Sequence, residues 1–523
     1  MSLTLAAPVA AASRATASSA LLAYLAARAD AANGSGDESV RRYVAALADA
    51  PGNAEVAQSA YREALIVGDD ALTDRAIAAL LAIGDAPPDS ALISVASAAH
   101  ARDFTTADAA IARLSSGQLA ILAGPLRAWA AQERGGDPLA ILAQRPRDAV
   151  AKRLNDETRA LILIARGRYD DGLAALRAVL GNDQAAVDLR IAAAQLLIGA
   201  GQVERARALL DGDIAPVVAL RERPQGMKPT LAFGATRLFV RLADDLAAGD
   251  PGPLSITLTR GALRAEPGND RARLLLAGTL ARLDRTDRAL VVLAGVDKAG
   301  PYGATVASAR IAILASAERY DEAIAIAAPL AQSRDASDQS LATLGDLLFT
   351  ANRAKLAVPV YRRLVERPSG AAKWDVWLHY AAALDQGDDW PAAREALLRA
   401  LAIAPDEPSV LNYLGYGDIT HGGDVPKALA MLQRAMMLRP DDPAIVDSLG
   451  WAYFRNGDLA NALPLLERAA QAAPENPEIG EHLGDAYWRA GRRYEARYAW
   501  RAAQVAADAK DRDRLAKKVT DGL

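Results

Sequence analysis

Small residues recur in this chain about once every 34 positions, and that spacing constrains the fold more than any other feature. Pro405-Asp406-Glu407-Pro408, Pro440-Asp441-Asp442-Pro443 and Pro474-Glu475-Asn476-Pro477 are each followed by a leucine–glycine pair: Leu414-Gly415, Leu449-Gly450 and Leu483-Gly484. Those glycines stand 35 and 34 residues apart, and Ala428, Ala462 and Ala496 keep intervals of 34. Ser255, Ala289, Ala323 and Ala357 hold the same interval upstream, as do Gly172 and Ala206. A period of 34 is that of a helix–turn–helix unit.

The physics of one unit can be read in residues 443–476. Pro443 suits a first helical turn, where a missing N–H costs nothing. Asp441 and Asp442 stand beside the positive end of the helix dipole. Val446, Leu449, Gly450 and Tyr453 follow at i, i+3, i+4 and i+7, one face of a helix. Asn456-Gly457-Asp458 ends it with a residue free to take positive φ. Leu459, Leu463, Leu466 and Ala470 mark a second amphipathic helix, stopped by Pro474. Gly450, Ala462 and Ala469 are small where the paired helices approach, because a bulkier side chain would overpack. One hairpin cannot bury its apolar face, so neighbours must stack on it, and a long stack has no single core. Composition agrees. Hydrophobic residues make up 51% of the 523 residues but aromatics only 5%, leaving alanine, the best helix former, to supply much of the rest. The fold expected is all-α.

Enzyme chemistry finds little to stand on. The absence of cysteine removes disulfides, thiolate metal sites and cysteine nucleophiles together. The four histidines, His100, His379, His421 and His482, are scattered in sequence and read as surface or packing residues. Gly199-Ala200-Gly201 is followed by Glu204 where a dinucleotide fingerprint needs a third glycine. No catalytic residue, metal site or cofactor is expected. A formal charge of −4 offers no basic surplus for nucleic acid or an anionic membrane. No apolar run approaches the length of a transmembrane helix.

The unit Val446-x2-Leu449-Gly450-x2-Tyr453, Ala462-x3-Leu466, Pro474 resembles the tetratricopeptide repeat, as does Leu483-Gly484-x2-Tyr487, Ala496-x3-Trp500. The resemblance implies a right-handed superhelical solenoid of roughly a dozen or more hairpins. It divides the chain into an N-terminal tail or residual export signal (1–18), divergent helical repeats (19–150), repeats over 151–211, an irregular insertion or joint at 212–230, repeats over 231–370, well-matched repeats over 371–510 and a capping tail (511–523). In 1–18, Leu3 to Ala12 is mostly apolar and Ala10-Ala11-Ala12 offers a cleavage site, but Pro8 interrupts it and no basic region precedes it. Residues 212–230 read either as a superhelix joint or as a protruding binding loop. The basic residues between Arg489 and Lys518 read either as a solvated capping helix or as a docking face.

The resemblance also implies that the first helix of each hairpin lines a concave surface that binds a protein or peptide partner. The inward positions are then Asn412 and Tyr416, then Asp447, Trp451, Phe454 and Arg455, then Glu481, Asp485, Trp488 and Arg489. Trp451 and Trp488 do not fit core positions and should face the groove; Trp500 replaces a core aromatic. The acidic floor suits a basic or neutral extended segment. The fifth and ninth positions, where some relatives clamp a carboxylate tail with lysine and asparagine, hold Asn412 and Tyr416, Asp447 and Trp451, and Glu481 and Asp485, so that clamp is absent. The phrases Leu411-Asn412-Tyr413-Leu414-Gly415-Tyr416 and Asp447-Ser448-Leu449-Gly450-Trp451 look like exported bacterial tetratricopeptide proteins, some of them lipoproteins that act as adaptors for processing proteases. This chain has no cysteine to carry the lipid. The expected function is a non-enzymatic scaffold or adaptor, periplasmic or envelope-associated. The alternatives are a structural subunit of an envelope secretion or polysaccharide-assembly machine, an enzyme with its site in the N-terminal part, and a cytoplasmic location.

Overall fold

The computed structural model describes residues 7–523 apart from 145, 182, 248, 250, 251 and 372, and the side chains of these except at 7–18, 370, 371 and 510. The proposed export signal therefore lies outside the described side chains. Among the described residues the regular structure is helical, with no strand. No described helix is long and apolar enough to cross a membrane. The chain divides into two units, Met1–Arg319 and Tyr320–Leu523.

In the second unit the hairpins follow one another along the sequence: Trp374–Gln386 with Trp390–Ile403, Pro408–Thr420 with Val425–Leu438, Pro443–Arg455 with Leu459–Ala472, and Pro477–Arg489 with Arg493–Ala506. The recurring proline phrases start helices as their chemistry dictates. Pro443 and Pro477 occupy the first turn, and the side chains of Asp442 and Asn476 accept hydrogen bonds from the next free backbone N–H groups. Gly457, at φ +81°, carries the chain out of its helix in the left-handed region. The leucine–glycine pairs mark close approach. A Cβ on Gly450 would stand 2.9 Å from the Leu466 side chain, and one on Gly484 would overlap the Trp500 indole. Ala462, Ala469 and Ala496 are fully buried at the same crossings.

The first unit uses the same hairpins but does not stack them only on sequence neighbours. The Pro253–Ala265 helix packs on Ser90–Ala101 and Ala54–Val67, and Leu231–Ala247 packs on Ala123–Arg134. A single core therefore runs from Ala91 to Ala272, and a second joins Tyr24–Leu80 to Ile256–Ile313. This departs from the expectation of a stack without a common core. The reason lies in the 253–265 helix, where Ser255 through Thr259 are buried in succession, so that it packs on more than one face. Its arginines bind across the gap. Arg260 donates to the carbonyls of Leu65 (2.7 Å) and Ile66 (3.0 Å), at the negative end of the 54–67 helix. Burial lowers its pKa to about 10. Arg264 pairs with Asp70 and Asp74. Trp129 is buried edge-on against Phe233, and a Cβ on Gly234 would run into its ring.

The irregular 212–230 segment contains a short helix, Ala215–Glu222. Beyond it the Met227 N–H donates to the Gln195 carbonyl at 2.9 Å. Gly226 lies against Gly199 so closely that a Cβ on Gly226 would come 2.5 Å from the Gly199 nitrogen. The glycine that failed as a dinucleotide motif thus has a packing reason.

Candidate functional site

The first helices of successive hairpins in the second unit bring four of the ten sequence-derived candidates onto one chamber of about 580 Å³: Tyr416, Trp451, Glu481 and Asp485. These are the ninth position of the 408–420 helix, the ninth of 443–455, and the fifth and ninth of 477–489. They meet because one hairpin advances the chain by 34 or 35 residues and returns the same helix face. The remaining wall is the C-terminal helix Ala509–Asp521, through Asp511, Arg514, Leu515 and Lys518.

An aromatic stack forms one side. The Trp451 ring lies 3.9 Å from the His482 ring at an interplanar angle of 16°, and 4.9 Å from Phe454 at 23°. The Arg455 guanidinium sits 5.9 Å from the Trp451 centroid. His482 Nδ1 is 2.8 Å from Asp447 Oδ2, both residues buried. The Tyr416 hydroxyl donates to Glu478 at 2.5 Å. Burial, followed by the Glu478 charge, pushes the phenol pKa far up, so Tyr416 stays a protonated donor.

The opposite side is ionic. Lys518 Nζ lies 2.7 Å from both Asp485 oxygens and 2.6 Å from Glu481, while Arg514 donates to Glu481 and Asp511. The Trp500 indole N–H also donates to Asp485, at 2.9 Å. Burial raises the Asp485 carboxyl above its ordinary range, and Lys518 and Trp500 pull it back. Two carboxylates of the expected acidic floor are thus neutralised by the chain itself. Three polar atoms on this face are buried without a hydrogen-bond partner: Asn412 Oδ1, Asp447 Oδ1 and Trp451 Nε1.

Asn412, Asp447, Phe454, Arg455, Trp488 and Arg489 do not line the chamber. Trp488 rests at a tilt on Trp500, 5.5 Å away, beneath Arg493 and Arg497, with Gly522 against its ring. Trp500 is fully buried. Arg489 is exposed. Glu478, His482, Arg514 and Lys518 also line the chamber. Glu478 was not singled out from the sequence, where His482 reads as a surface or packing residue and Arg514 and Lys518 as part of a capping helix or docking face. Their signal was the period itself: Arg514 and Lys518 each lie 33 residues after the carboxylate they pair with. The other histidines also serve packing. His100 Nδ1 is 3.2 Å from the Ala265 carbonyl, His421 stacks on Trp390, and His379 lies beside Tyr361.

A second cavity, in the first unit, holds about 40 Å³ between Trp129, Glu157, Asp188, Arg237, Arg241 and Asp244. Its charges answer one another. Arg271 joins Asp188 (2.7 Å) to Asp244 (2.5 Å), and Arg241 joins Glu157 (3.3 Å) to Asp245 (2.6 Å). That pattern braces helices rather than presenting a reactive group.

Comparison with known proteins agrees with this architecture. Two family models, both described as tetratricopeptide repeat, match residues 163–215 and 453–512, and residues 342–408 and 421–477. Those stretches of the chain carry tetratricopeptide repeats. Among solved structures it is similar to a thermophilic tetratricopeptide protein of Thermus thermophilus, TTC0263, at 21% identity over 35% of this chain and 98% of that one, with a TM-score of 0.32. MamA matches at 20% identity over 33% and 97%, with a TM-score of 0.26. PilW, a type IV pilus biogenesis factor, matches at 19% identity over 35% and 85%, with a TM-score of 0.32. No curated protein matches the sequence significantly. Stacked tetratricopeptide repeats present extended surfaces for other proteins, so this chain is a protein-interaction scaffold.

Proposed function

We propose that the scaffold is non-enzymatic and grips its partner on the first-helix face of the second unit, over Asn412, Tyr416, Asp447, Trp451, Phe454, Arg455, Glu481, Asp485, Trp488 and Arg489. The observation that carries this reading is the chamber of about 580 Å³ that Tyr416, Trp451, Glu481 and Asp485 line from three successive first helices. The stacked rings of Trp451, His482 and Phe454 supply the rigid aromatic anchor common at binding hot spots.

The biological role we infer is that of an adaptor in the bacterial envelope, holding two chains at once so that one meets the other at raised effective concentration. A processing protease or an assembly factor is the kind of client it would recruit. This rests on the likeness of the 411–416 and 447–451 phrases to exported tetratricopeptide proteins.

Trp451→Ala and Trp488→Ala should each weaken partner binding about tenfold or more while far-ultraviolet circular dichroism stays unchanged. Co-purification from native extract, followed by quantitative mass spectrometry, is the check. Loss of helix in either variant would mean that the tryptophan is a core residue. One partner set at fixed stoichiometry, insensitive to both changes, would point instead to a subunit of a larger machine.

A further inference from the structure

We infer that the partner segment is basic, and that a lysine or arginine side chain enters the chamber with its stem across the Trp451 indole and its charged head at Glu478. This rests on the binding face proposed above and names the chemistry it selects. Five carboxylates stand in or directly behind the chamber, at Asp447, Glu478, Glu481, Asp485 and Asp511, against three permanent cations, Arg514 and Lys518 in its wall and Arg455 beside the Trp451 ring. The imbalance sits at one end. Lys518 and Arg514 hold Glu481, Asp485 and Asp511, whereas the Glu478 carboxylate, exposed at the rim, accepts from the neutral Tyr416 hydroxyl and pairs with no cation among the described contacts. Asp447 is 5% exposed, shares one oxygen with His482 and has no partner for the other.

The chain itself displays the mode of recognition. At the fifth and ninth positions of the 477–489 helix, Glu481 and Asp485 receive Arg514 and Lys518 from the 509–521 helix, two helices on. At the same positions one hairpin earlier stand Asp447 and Trp451, and the helix two on, 477–489, contributes His482 to them. The end filled by the 509–521 helix is complete; the end bounded by Tyr416, Trp451 and Glu478 retains negative charge beside an aromatic face. A methylene stem and a cationic head match that pair of surfaces, the head gaining from both carboxylate and ring.

A random dodecapeptide phage library panned against the full chain in about 150 mM salt tests this. The result expected is enrichment of peptides sharing one lysine or arginine. Replacing that residue by norleucine in the best peptide should raise Kd about tenfold, as should Glu478→Gln in the protein, with binding falling further as salt rises. Glu478→Gln changes an exposed rim residue, so the test does not depend on how well Trp451→Ala folds. Enriched peptides that lack a basic residue yet still need Trp451 would overturn the basic-segment inference and leave the binding face standing. Peptides indifferent to both substitutions, or no enrichment, would overturn both.

Discussion

Lys518→Met is expected to destabilise the C-terminal hairpin by about 3–5 kcal/mol, the cost of removing one partner from a buried ionic cluster. Lys518 is only 17% exposed, and it is the sole residue bonded to both Glu481 and Asp485 among the described contacts. Methionine keeps the stem near the Trp500 ring, so the loss reports charge more than volume. The pH dependence follows from Asp485, whose folded pKa burial already raises. A carboxyl raised in the folded state favours folding below its unfolded pKa, and that contribution disappears as pH rises through the folded value. Removing Lys518 raises it further. The deficit of the variant should therefore be small near about pH 4.5 and full by about pH 7.5. Hydrogen exchange of the 477–489, 493–506 and 509–521 helices, measured at both pH values, checks this. A loss below about 1 kcal/mol, or one that grows on acidification, would contradict it.

Gly234→Ala should cost about 3 kcal/mol in the first unit, at the upper end of ordinary overpacking. The added methyl would enter the Trp129 ring, which is buried and braced by Phe233, so neither side can yield cheaply. Gly234 lies within the 231–247 helix, where alanine is intrinsically better than glycine by about 1 kcal/mol. The sign should therefore reverse in a Trp129→Leu background: with the ring gone, Gly234→Ala becomes neutral or stabilising. Urea unfolding of the four proteins of this double-mutant cycle measures the coupling. Equal costs in both backgrounds would show that the ring is not what the glycine accommodates.

Much of the second unit was legible because its local signals repeat. The phrases Pro440-Asp441-Asp442-Pro443 and Pro474-Glu475-Asn476-Pro477 carry their own capping chemistry, and Gly450 and Gly484 are small for a reason one hairpin is enough to state. The return packing of the first unit was not legible. Arg260 meets Leu65 and Ile66 across nearly 200 residues, and no period links them. Trp129 gave no warning either, since its partners Phe233 and Gly234 lie beyond the irregular 212–230 segment. At the site, periodicity placed Tyr416, Trp451, Glu481 and Asp485 together, but a pattern of inward positions cannot say which charges are already paired. Reading the basic residues up to Lys518 as a capping helix or a docking face missed that Arg514 and Lys518 pair inward, each 33 residues after its carboxylate.

The binding face is tested most directly by photocrosslinking in native extract, with benzoylphenylalanine placed singly at Tyr416 and Arg455 on the first helices and at Tyr498 on a second helix. Tyr498 is 70% exposed and lies outside the chamber, so accessibility alone would favour it. The same partner crosslinked from 416 and 455, and not from 498, is the predicted result. Crosslinking from 498 with none from 416 or 455 would contradict it.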